Sequence, residues 1–247
     1  MDYRTMADDF FLNVDLRTAL ELPRSRETVL HFYEALQKKF PYMTNLYQRE
    51  GGEFVLEGDR ESGSYPWVEL QSRRLSAGFF NPPDSDGAFA MHRWVLESSI
   101  YFLGVSALDI EALDLLFGFN MEYQGNRDEI VCGAMLGGSA LGTLPLELSG
   151  RPIECEPNLV LALDEECYLQ ARLSVETGGS SYQVRTGQYD EQPISVYFTV
   201  RRYPSPTNVL QIKESFDHQR EVGEDLVQQC IMPNVVQPIA AAIAAAQ

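Results

Sequence analysis

Apolar and polar residues alternate through 194–203, ISVYFTVRRY. Ile194, Val196, Phe198 and Val200 fall on one side, and Ser195, Tyr197, Thr199, Arg201 and Tyr203 on the other. A period of two marks a strand with one face on a core and the other free. The same alternation places Phe10, Leu12, Val14 and Leu16 on one side of a strand over 9–16. A third strand, over 114–123, sets Leu115, Phe117, Phe119, Met121 and Tyr123 against Asp114, Gly118, Asn120 and Glu122. Helical spacing takes over at 26–40, where Val29, Tyr33, Leu36 and Phe40 form a stripe widened by Phe32. Ser25 is its expected N-cap, Lys38 and Lys39 suit its C-terminal dipole, and Pro41 ends it.

Between and after these elements the pattern predicts two short strands, 43–49 and 53–57, turning at Gly51-Gly52. A longer extended stretch, 67–80, alternates imperfectly, so a bulge is expected near Arg73 and Arg74. The break NPPDSDG precedes a helix over 88–103 that is apolar almost all round and therefore expected to be buried. The second half predicts a short helix over 128–136 and a polar, Gly/Pro-rich connection over 137–157. Strands over 159–163 and 168–176 follow, joined by Asp164, Glu165 and Glu166. Gly178-Gly179 reads as a hairpin turn into a strand over 182–186. A helix over 208–230 carries Val209, Ile212, Phe216, Val222 and Leu226 on one face, before Pro233 and Pro238 interrupt an Ala-rich tail.

Set side by side, residues 1–105 and 106–247 share an order: strand, helix, antiparallel strands, long strand, Pro-rich break, long helix. The expectation is an α+β fold in two pseudo-repeated halves that share one curved antiparallel sheet, with helices on one face. On this element order the layout resembles the saddle of the TATA-box-binding protein. The resemblance implies architecture and no function.

Charge separates this chain from a DNA-binding saddle. Nineteen Lys and Arg against 36 Asp and Glu give a net charge of −17, which disfavours nucleic-acid backbones and anionic membranes. No run of about 18 apolar residues marks a membrane span, and MDYRTMADDFF lacks the basic-then-apolar pattern of a secretory leader. Cys132, Cys155, Cys167 and Cys230 show no paired spacing, which fits a reducing cytoplasm.

Candidate chemistry narrows to the polar side of the sheet. His31 and His218 lie off the apolar stripes of their helices, and no two of the three histidines share a metal-ligand spacing. Asn81, Asp84 and Asp86 read as helix caps rather than a calcium loop, because further oxygen ligands and a closing Glu are absent. The glycines of 137–142 are misplaced for a nucleophile elbow or phosphate loop. The open face offers Tyr197, Thr199, Arg201 and Tyr203, with Tyr168, Gln170, Arg172 and Ser174 alternating on a neighbouring strand and Asn120 and Glu122 nearby. Tyr and Arg give large contact area with polar ends, and Arg grips carboxylates or phosphates bidentately. The sequence therefore points to a non-enzymatic binding module for a protein or small-molecule partner, without cofactor or metal. Tyr168, Gln170, Arg172, Tyr197, Thr199, Arg201 and Tyr203 are its contact set. Two alternatives stay open. One is a small-molecule enzyme with His92, or Glu154 and Glu156, as acid–base groups; the other is a subunit of a homo-oligomer built through 88–103 and the Ala-rich tail.

Overall fold

The computed structural model describes residues 6–205 and 210–247. In chain order its elements are β1 (Asp9–Thr18), α1 (Arg26–Lys39), β2 (Asn45–Gln48), β3 (Phe54–Glu57), β4 (Tyr65–Leu70), β5 (Arg74–Phe80) and α2 (Ser85–Phe102). There follow β6 (Ile110–Met121), α3 (Arg127–Val131), α4 (Ala140–Glu147), β7 (Asn158–Ala162), β8 (Leu169–Glu176), α5 (Ser181–Thr186), β9 (Ile194–Arg202), α6 (Ile212–Leu226) and α7 (Gln237–Ala246). The strands make one nine-stranded antiparallel sheet in the order β2-β3-β4-β5-β1-β6-β9-β8-β7. The two most regularly alternating early strands, β1 and β6, pair at its middle over Asp9–Asn120 to Thr18–Ile110.

Helices cover one face. Leu12, Val14, Leu115, Phe117, Val196 and Val200 are buried there, with α2 against β1 and β5 and α6 against β6 and β9. Phe89 of α2 lies 6.2 Å from Phe117 and 6.4 Å from Phe216, so one ring couples both helices to the sheet. Burying a phenylalanine of this kind contributes roughly 2–3 kcal/mol. The close approach of α6 needs Gly223, where a Cβ would meet Phe117 at 2.6 Å. Gln219, fully buried, donates from Nε2 to the carbonyls of Leu113 (2.7 Å) and Val200 (2.8 Å), tying the helix to two adjacent strands.

Several local expectations agree with the structure. Ser25 and Asp84 cap α1 and α2 by accepting from Thr28 N and Gly87 N. The β2–β3 hairpin turns at Gly51-Gly52, with Gly52 at φ 90°. The expected start of the last long helix, at 208, lies outside the described residues.

Others are corrected. Residues 67–80 are not one bulged strand but the hairpin β4–β5, because Gln71 N bonds Arg74 O (2.8 Å) and closes a turn. The predicted strand 182–186 is the short helix α5, capped by Ser180. The buried Arg127 decides this. It donates to the carbonyls of Thr177 (2.7 Å), Asp190 (2.8 Å) and Gln192 (3.1 Å), so the chain wraps around a guanidinium instead of forming a ladder. The connection 137–157 contains the apolar helix α4, whose Leu141, Leu144 and Leu146 are exposed. Pro233 does not end the last helix. Wide π-type turns over Val227–Val236 carry α6 into α7, re-registering the hydrogen bonds around the proline. The joined run Ile212–Ala246 reaches the length and apolar content of a membrane span, contrary to expectation. Its Phe216, Val227, Ile231, Val236, Ile239 and Ile243 are core residues of this fold.

Candidate functional site

The face opposite the helices is built by the polar half of each alternation. Because partners in register share a face, the pairings give rows running across the strands. One row reads Glu69, Ser76, Asp15, Asp114, Arg201, Gln170 and Ala162 from β4 to β7. The next reads Trp67, Gly78, Asn13, Leu116, Thr199, Arg172 and Val160. A third is aromatic: Tyr65, Phe80, Phe11, then Gly118 and Tyr197. Tyr65 and Phe80 stack at 5.4 Å, Phe80 and Phe11 at 6.2 Å, and Phe11 meets Tyr197 edge-on at 6.1 Å. Gly118 is required beneath this row, since any Cβ there would strike the Phe11 ring.

On this face lies a groove of about 480 Å³. Its lining brings together Gln170, Arg172, Tyr197, Thr199 and Arg201, five of the seven residues expected from the sequence. The other two stand aside. Tyr168, half-buried, accepts at its carbonyl from Tyr203 N (2.8 Å), and Tyr203 accepts at its hydroxyl from Arg201 Nη1 (3.3 Å). Ser174 lines the groove, whereas Asn120 accepts from Ser195 Oγ (2.9 Å) and Glu122 N is bound by Asp8.

The sequence reading missed the contribution of the two central strands: Asp15 and Arg17 of β1 and Asp114 of β6 also line the groove. A signal existed, since Asn13, Asp15 and Arg17 are the polar positions of the first alternating strand. Asp114 is the electrostatic centre. It is 4 % exposed, and Arg201 donates to it bidentately, Nε to Oδ1 and Nη2 to Oδ2, both 2.6 Å. Arg17 approaches Oδ2 at 3.5 Å from the other side. Its hydrogen bonds to Asp114 hold the Arg201 guanidinium well above its ordinary pKa, outweighing the opposing effect of burial.

A second groove of about 320 Å³ lies over β3–β5 and shares Asp15 with the first. It repeats the clamp: Arg60 holds the buried Glu57 (2.6 Å) and Arg49 the buried Glu69 (2.7 Å). Neither groove is lined by His92, Glu154 or Glu156. His92 is wholly buried, and Glu156 accepts from Thr177 N (2.9 Å) and Gly178 N (3.2 Å) at the end of β8. Among the described residues no three His, Cys, Asp or Glu side chains gather as metal ligands.

No protein-family model matches the chain, and no curated protein matches it. Among solved structures it is similar to one described as the crystal structure of the di-domain ARO/CYC BexL from the BE-7585A biosynthetic pathway. The match has 7 % identity over 94 % of this chain and 98 % of that one, with a TM-score of 0.23. A likeness at that level carries no argument about fold or activity.

Proposed function

We propose that the protein is a binding module that takes a small molecule or protein partner on its open sheet face. The observation that carries this reading is the groove where Gln170, Arg172, Tyr197, Thr199 and Arg201 meet Asp15, Arg17 and Asp114. Half-buried Tyr197, and Arg172, which makes no ion pair among the described residues, give contact area and directed donors at small entropic cost. We also propose that 1–105 and 106–247 are pseudo-repeated halves of a saddle-like sheet. The central β1–β6 pair and the matching seats of α2 and α6 support it. The four free cysteines suit a cytoplasmic setting.

Arg201 is committed to Asp114, so the discriminating substitutions are Arg172→Ala with Tyr197→Ser. Metabolite screening by ligand-observed NMR should yield compounds that bind the parent and lose about tenfold or more in affinity in this variant. Its urea midpoint should fall only by the loss of the Phe11–Tyr197 contact, about 1 kcal/mol, with the fold intact. Compounds that bind both proteins equally would remove the reading. Conversion of a bound compound to product would favour the enzyme alternative.

A further inference from the structure

On the open face three carboxylates are clamped by arginine, whereas among the described residues Asp15 and Glu176, and Arg74 and Arg172, make no ion pair. Glu57 is taken by Arg60, Glu69 by Arg49 and Asp114 by Arg201. Asp15 accepts from Ser76 Oγ. Arg17, Arg74 and Arg172 remain, and the first two are direct register partners on β1 and β5. Like charges set opposite one another across antiparallel strands destabilise the pair. Arg17 has only the longer contact to Asp114, a carboxylate already held twice by Arg201. Among the described residues no carboxylate lies within ion-pair distance of Arg74. The Nε atoms of both are buried without a hydrogen-bond partner. The Arg17 side chain is nevertheless 42 % exposed, so its outer nitrogens face the groove. Arg17 lines one groove and Arg74 the other, and the two meet at Asp15.

From this juxtaposition we infer that the line between Arg17 and Arg74 is the seat of an oxyanion, a carboxylate or phosphate carried by the molecule that occupies the open face. The inference rests on the open-face reading and adds the ligand's charge and its anchor. A guanidinium fork offers paired N–H donors, which carboxylate and phosphate oxygens accept. A bound oxyanion supplies the negative charge the pair lacks. It also explains how a chain of net charge −17 keeps a local excess of cation at the middle of its sheet.

The test is titration of ¹⁵N-labelled protein with inorganic phosphate and, separately, with citrate at constant ionic strength, following the arginine Nε–H resonances. Saturable shifts are expected at Arg17 and Arg74. They should be absent at Arg93, which is paired with Glu97 and Asp217 on the helical side. Arg74→Met, which breaks no ion pair, and Arg17→Met should each weaken binding by about tenfold or more. Saturation by phosphate alone assigns a phosphate ester, by citrate alone a carboxylate, and by both a general oxyanion seat. Linear, non-saturating shifts, or saturable binding unchanged in both variants, overturn the inference. Anion binding that survives both variants but is lost in Arg172→Met overturns this anchor while leaving the open-face reading standing.

Discussion

His92 shows what a single buried polar ring does to the molecule. It is wholly buried on α2, and neither ring nitrogen has a hydrogen-bond partner among the described residues. Burial alone drives its pKa down from 6.5 to about 3, so the ring is neutral at pH 7. In the unfolded chain the same ring takes its proton near 6.5. Between these values the unfolded state binds more protons, so stability falls as pH drops through that window and is untouched by this group above it. Fully developed, the effect is on the order of 4–5 kcal/mol, from about 1.4 kcal/mol per pH unit of separation. His92→Leu should therefore flatten the loss of stability between about pH 7 and about pH 4. At pH 7 it should add roughly 1–2 kcal/mol, because two orphaned polar atoms leave the core. Urea unfolding at a series of pH values reads both; identical slopes for parent and variant would show that the ring is not a dry, unpaired group.

At the scale of elements, the packing of α6 depends on one side chain that periodicity does not reveal. Gln219 sits among Phe216, Val222 and Leu226 in the sequence and looks like an ordinary polar position, yet it is fully buried and satisfies carbonyls of β6 and β9. Gln219→Leu removes both bonds and leaves two buried carbonyls without these donors. A loss of about 2–3 kcal/mol in urea unfolding is expected, with little change for an exposed control such as Glu214→Ala. This contrast marks what was legible. Strands β1, β6 and β9 and helix α1 were readable because their alternation or stripe is set by one flat buried face. Half of the groove was readable for the same reason, as the polar complement of β8 and β9. The β4–β5 turn was not, since Gln71–Arg74 carries neither Gly nor Pro. Helix α5 was not, since its fold follows from Arg127, some fifty residues earlier. Asp15, Arg17 and Asp114 were missed as groove residues because β1 and β6 were read for their apolar faces, and only pairing sets them beside Arg201.

For the whole molecule the governing quantity is charge carried on an open, one-layered sheet. Thirty-six acids against 19 bases leave the folded state repelling itself. Away from the open face, ion pairs among the described residues such as Arg93–Glu97 and Arg220–Asp86 have side chains open to solvent. Pairs of that kind contribute about 0–1 kcal/mol each and weaken as salt screens them. The clamps at Glu57, Glu69 and Asp114 are short and their carboxylates are buried, so salt weakens them less than fully exposed pairs. Screening should then relieve repulsion more than it weakens attraction. Raising sodium chloride from about 10 mM to about 300 mM should stabilise the protein by roughly 1 kcal/mol. For a chain of this length that is a rise in Tm of about 2–4 °C. Sodium chloride and choline chloride should act alike, since screening depends on ionic strength and not on the cation. A fall in Tm with salt would mean that the arginine clamps on the open face, not the surplus of acid, dominate the electrostatics of the folded state.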